Sequence, residues 1–178
     1  MIWRTEVLDQ LDLYWDHQLM PRLAGLTDDE YLWEPVPDCW TIRTDGDGRA
    51  MFDWQDPVPE PPAVTTIAWR LCHIAFHVLG IRASAHFGDG SLTIDTASLP
   101  VTAEDGLAAL HEHYHTWRKG VLSLDDAGMQ RPIGEVEGQW GERPMATLVL
   151  HVNREVMHHG AEIALLRDLY RAGFKQAR

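Results

Sequence analysis

Apolar side chains recur three and four residues apart along four separate stretches of this chain, a spacing that commits most of it to amphipathic helices. Between Glu6 and Ala24 the series includes Leu8, Leu11, Trp15, Leu19 and Leu23, and Pro21 should kink or trim its end. A second helix is predicted over Ile67–Phe87, capped by Thr65 or Thr66, with Ile67, Leu71, Ile74, Val78 and Ile81 on its buried face. Gly88-Asp89-Gly90 should end it. Thr102-Ala103-Glu104-Asp105 resembles a capping box for a third helix that runs through Leu107, Leu110 and Trp117 to Leu122. Met145 to Ala172 reads as one long fourth helix, and Thr27-Asp28-Asp29-Glu30 as the cap of a short turn.

The stretches between the helices have a different texture. Pro35–Pro62 is rich in Pro, Gly, Asp and Trp and shows no sustained period. Irregular stretches that long are uncommon in a compact domain, and are often functional or lie over the mouth of a site. Trp40, Phe52 and Trp54 would pack it down. Pro132–Trp140 alternates Ile133, Val136 and Trp140 among glycines, as a small hairpin or ordered loop between helices three and four would. The expected fold is therefore all-α: a single domain over 1–178, a four-helix bundle whose long crossover loops suit an up-up-down-down arrangement.

Composition excludes several partners. A net charge of −12 argues against nucleic acid, whose affinity rests on Lys and Arg neutralising phosphates. No apolar run approaches the roughly 20 residues that span a bilayer, so no membrane role is expected. The first residues turn acidic at once, without the apolar core of a secretory signal. Cys39 and Cys72 are then read as reduced thiols in a cytoplasmic protein.

The chemistry concentrates on the last helix, where His151, Glu155 and His159 recur every four residues and Glu162 follows. That spacing stacks them in one stripe along a helix that must also bury much of its surface. Buried polar groups need partners, and a divalent cation held by two neutral imidazoles and a carboxylate supplies one. Residues on one helix cannot close such a site. The second helix offers His73 and His77 within W-R-L-C-H-I-A-F-H, and His73 falls in its apolar series. The preferred ligands are His73, Glu155 and His159. Spacing alone does not rank His77, His151 and His158 as further ligands or supporting partners.

Isolated histidines are usually surface residues or hydrogen-bonded core residues, and His17, His86, His111, His113 and His115 are read that way. Neither G-x-S-x-G nor a phosphate-cradling glycine loop occurs. Cys72 adjoins His73, but neighbours on a helix point about 100 degrees apart, so it reads as a small buried thiol. Trp40, Trp54 and Trp140 are candidates to line a pocket for an organic group.

The order of elements, with T-I-A-W-R-L-C-H-I on the second helix and H-V-N-R-E-V-M-H-H-G-A-E-I on the last, resembles the DinB/YfiT-like superfamily. Within it the chain is similar to the actinobacterial branch that includes mycothiol-dependent enzymes of the maleylpyruvate isomerase N-terminal-domain type. The resemblance runs from Y-L-W-E-P-V-P to A-L-L-R-D-L-Y. It implies a four-helix bundle with one divalent metal on His73, Glu155 and His159, the metal being zinc or nickel. By ligand type alone, iron or manganese would serve as well.

The resemblance further implies activation of a small thiol such as mycothiol, for S-transfer to an electrophile or for isomerisation, in a homodimer. The isomerase carries a second domain after its bundle, whereas this sequence stops soon after the fourth helix. A hydrolase using metal-activated water and a non-catalytic metal-stabilised bundle are the alternative expectations.

Overall fold

The computed structural model describes residues 3–174 and is mostly helical, with one small two-stranded sheet. Helix α1 spans residues 3–23. It begins as Trp3–Tyr14, widens into a π-helical stretch at Trp15–Leu19 and closes as Met20–Leu23. Pro21 therefore lies inside its last turn. The widened turn ahead of it gives the ring room where a regular helix would clash with a preceding carbonyl. Helix α2 is the single turn Asp28–Tyr31, and its capping box forms as expected: Glu30 N–H donates to the Thr27 hydroxyl at 3.3 Å and Thr27 N–H to the Glu30 carboxylate at 3.2 Å.

The segment that showed no period holds the only sheet among the described residues. Strands β1 (Ile42–Thr44) and β2 (Ala50–Phe52) pair antiparallel, Ile42 opposite Phe52. Three-residue strands are too short for an alternation of period two to stand out. The hairpin is tied down by Asp53, whose carboxylate accepts from Thr41 N–H at 2.9 Å and Arg43 Nε at 3.0 Å. Its carbonyl accepts from the Trp69 indole at 2.8 Å, which fastens the hairpin to the second long helix.

That helix, α3 (67–87), keeps the predicted bounds, and of the two candidate caps Thr66 is the one used, accepting from Trp69 N–H. Its middle, His73–Gly80, is π-helical; burial along the helix spreads beyond the predicted stripe to Cys72, Ala75, Phe76 and Leu79, while Ile81, expected on the buried face, is half-buried. Helix α4 is Ala103–Leu122, α5 is Asp126–Gln130 and α6 is Met145–Arg171. Of the two expectations for the stretch between α4 and α6, the ordered loop is the one formed, its ends joined by hairpin-like bonds from Ile133 N–H to the Arg143 carbonyl and from Met145 N–H to the Arg131 carbonyl, each at 2.9 Å. It carries a lone antiparallel bridge between Pro132 and Pro144 and a 3-10 turn at Glu135–Trp140. Prolines cannot donate to a ladder, and Gly134 and Gly138 leave the extended region at φ +106° and +56°.

Helices α1 and α3 each pack on both α4 and α6. Along the α1–α6 contact, Asn153 donates to the Val7 carbonyl, Tyr14 to that of Met157 and Arg22 to that of Ala164, so the two helices run parallel. Arg70 meets Glu162 and His73 meets His159, while Arg82 shares a cavity with His151, so α3 runs antiparallel to α6. Phe76 meets His113 and Phe87 meets Trp117, which makes α3 and α4 parallel. The up-up-down-down expectation is thus corrected: α1 and α6 point one way, α3 and α4 the other. The segment 88–102 is long enough, at ~3.3 Å per extended residue, to return along a helix rising 1.5 Å per residue.

One ion pair clamps the end of this arrangement. Arg167, fully buried, donates to both Glu30 carboxylate oxygens at 2.8 and 3.3 Å and to the Arg22 and Ala24 carbonyls. Arg171 adds a bond to Glu30 at 3.0 Å. Burial alone would raise the Glu30 carboxyl, but Arg167 and the Thr27 amide outweigh it and hold it below its ordinary 4.5. Removing one partner of a buried pair costs about 3–5 kcal/mol, so Glu30→Gln should lose that much in urea unfolding near neutral pH. Because the folded carboxyl is depressed, its contribution is present above its ordinary value and disappears as pH falls through the folded one. The gap between variant and natural chain should therefore close in strong acid.

Candidate metal centre

The polar stripe of α6 faces α3, and the antiparallel packing brings His73 opposite its middle. One ligand atom each from His73, Glu155 and His159 lies within 4.8 Å of the others. The two imidazoles meet edge to face, centroids 4.8 Å apart and planes at 89°. His159 Nε2 lies 3.3 Å from a Glu155 oxygen. His159 is buried, and Glu155 and His73 are half-buried.

Hydrogen bonding sets which nitrogens are free. His159 Nδ1 lies 2.7 Å from Glu162, a carboxylate also bonded by Arg70 Nε at 3.0 Å. Burial pushes the Glu162 carboxyl up, but the His159 bond and the Arg70 charge outweigh it and keep it ionised. An ionised carboxylate can only accept, and its 2.7 Å contact outweighs the 3.2 Å approach of Arg70 Nη1 to the same nitrogen, so Nδ1 carries a proton and Nε2 faces the Glu155 oxygen. Two acceptors at that distance require a proton or a cation between them. His73 is held neutral, its pKa pushed down to about 3 by burial and then by His159, His77, Arg70 and Arg82. Its Nδ1 is buried without a hydrogen-bond partner, as is that of His77. Neutral imidazole, paired acceptors and an orphaned nitrogen are what a divalent cation would satisfy.

The remaining candidates separate cleanly. His77 stands next along α3, its ring 5.5 Å from His73 and 4.9 Å from Phe52, outside the donor group. His151 Nδ1 lies 3.5 Å from Glu155 and takes an Arg154 donor at 2.6 Å. His158 is exposed and forms a second donor group with His159 and Glu162, but that group shares His159 with the first. His17, His111 and His115 are exposed, and His113 packs against Phe76. His86 meets Glu137 at 3.2 Å. Cys39 and Cys72 are free and buried, and burial pushes their thiols up to about 11 and about 12, which leaves them protonated near neutral pH.

Pattern reading missed Arg70 altogether. It lies 5.0 Å over the Trp69 ring while anchoring Glu162, and nothing in its local sequence signals either contact. The Pro35–Pro62 segment does border the group: Phe52 stacks on Trp69 at 4.6 Å, and Trp69 stacks on His73 at 5.3 Å. Trp40 and Trp54 extend that aromatic wall.

The DinB superfamily model matches residues 10–163, a span that contains the whole donor group. The chain belongs to the DinB superfamily. Comparisons of this DinB chain with curated proteins and with solved structures each find no match. Members of the superfamily bind metal ions. No helix among the described residues is long and apolar enough to cross a membrane.

Partners that orient a ligating histidine typically change metal affinity 10–100-fold. Glu162→Ala in this DinB protein should therefore weaken zinc or nickel binding by about that factor, read by chelator competition, while the helical circular dichroism is kept.

Proposed function

We propose that this DinB protein is a metal-dependent enzyme that joins a low-molecular-weight thiol of the mycothiol type to an electrophile, or uses it to isomerise one. The observation that carries the reading is the His73, Glu155 and His159 donor group, with its neutral His73 imidazole and a His159 nitrogen 3.3 Å from the Glu155 carboxylate. These residues would hold one zinc or nickel ion. A divalent cation there would lower the pKa of a thiol sharing its coordination sphere and supply thiolate near neutral pH.

The chain's own groups have separable tasks in this reading. Glu162 keeps the proton on His159 Nδ1, and Arg70 keeps Glu162 ionised and in place. Trp69 and Phe52 shield the His73 side from water, which strengthens electrostatic interactions at the site. Neither Cys39 nor Cys72 supplies the sulfur, because both are buried and protonated. The thiol is therefore a diffusible cosubstrate. The four long helices are read as the four-helix bundle of the superfamily, with α1 and α6 opposed to α3 and α4.

Metal analysis of protein purified without a histidine tag should find about one equivalent in the natural chain. His73→Ala, Glu155→Ala and His159→Ala should each lose it. Conjugation of a small thiol to an activated electrophile should then fall by at least ~100-fold in the same variants and on chelation. A folded chain that takes up no zinc or nickel would sink the reading. Ester hydrolysis without added thiol would replace it with a hydrolytic one.

A further inference from the structure

Beside the donor group, where α6 passes the C-terminal half of α3 and the 131–144 loop, lies a cavity of about 420 Å³. That is within the range of small-molecule pockets, about 300–1,000 Å³. Its apolar lining includes Ile133, Trp140 and Leu148, and its polar lining Arg82, Glu137, His151 and Arg154.

The two guanidiniums are not equivalent. Arg82 is committed, its Nε 3.1 Å from Glu137 and its Nη1 bonded to the His77 carbonyl at 2.9 Å. Glu137 neutralises it and also takes His86 at 3.2 Å. Arg154 has a side chain 70% exposed and touches the site with one nitrogen, 2.6 Å from His151 Nδ1 and 3.3 Å from Glu155. Accepting at Nδ1 leaves His151 with its proton on Nε2, a second donor. The lining carries two guanidiniums, Arg82 and Arg154, against one carboxylate, Glu137, and Arg154 meets Glu155, outside the lining, through that one nitrogen alone. In a chain of net charge −12, such a local excess has a chemical meaning.

We propose that this cavity binds a small organic anion, its acidic group held by Arg154 and His151 and its apolar body lying on Trp140, Ile133 and Leu148. The inference deepens the reading above, on which it rests for the role of the anion as the electrophile that meets the thiol next to Glu155. Its acidic group lies one helical turn from the donor group, and Arg154 sets its orientation.

The test is calorimetry with 4-phenylbutyrate and its neutral counterpart 4-phenylbutan-1-ol, on metal-loaded and metal-free protein. The natural chain should prefer the carboxylate by about tenfold or more, the scale of one charge-assisted hydrogen bond. Arg154→Gln should abolish that preference without changing metal content, and Trp140→Ala should weaken both ligands alike. Arg154 and Trp140 are largely exposed, so neither change threatens the fold. An Arg154-dependent preference that survives in metal-free protein supports the cavity even if the metal reading fails. Carboxylate binding that Arg154→Gln leaves intact, or that vanishes in every variant once metal is removed, places the anion on the metal and overturns the proposal.

Discussion

Two imidazoles and two carboxylates lie between α3 and α6, in a layer where water cannot satisfy them all. Unpartnered polar groups there would cost several kcal/mol by transfer estimates, so the contact persists only if each finds a partner. Glu162 takes Arg70 and the His159 Nδ1 proton. Glu155 and the second His159 nitrogen are left facing each other, with His73 alongside. The fold thus satisfies the outer half of the layer from its own side chains and leaves an inner half whose donor set matches a divalent cation. Structure and candidate chemistry meet at that unfinished half.

Everything around this layer constrains how α3 and α6 meet. The Glu30–Arg167 pair fixes the far end of α6 to α2 and to the last carbonyls of α1. The hairpin reaches α3 through Asp53 and Trp69 and places an aromatic wall against His73. Gly120 lets α4 approach α3 so closely that an added Cβ would collide with the Phe87 ring. These contacts are far apart in sequence, yet all bear on the same inter-helix register. A buried ion pair contributes little net stability as such, but breaking it leaves an uncompensated charge, so it enforces one arrangement.

Much of the local structure was legible in advance, because its causes are local. Thr27, Thr66 and Thr102 cap helices as their short side chains suggest, and α3 runs between its predicted ends. The four-residue spacing of Glu155 and His159 needed no partner to place both on one face. The short strands escaped notice because three residues carry too little periodicity. Between α4 and α6 the ordered-loop alternative holds, because two prolines and two positive-φ glycines limit its pairing to a single bridge. Helix direction was misjudged since long connections permit either sense, and the choice rests on packing at contacts such as Tyr14 with Met157 and Phe87 with Trp117.

By itself the sequence determined where the helices lie, which face of α6 carries the polar stripe, and that a partner histidine had to come from another helix. Those properties follow from backbone geometry, which repeats every 3.6 residues whatever surrounds it. Only the tertiary structure decided how closely His73, already favoured by its apolar series, approaches Glu155 and His159, and that Arg70 anchors Glu162. It alone placed Arg154 and Trp140 around one cavity. Such relations depend on register and angle between elements distant in the chain, which are set by how side chains fill the space between them.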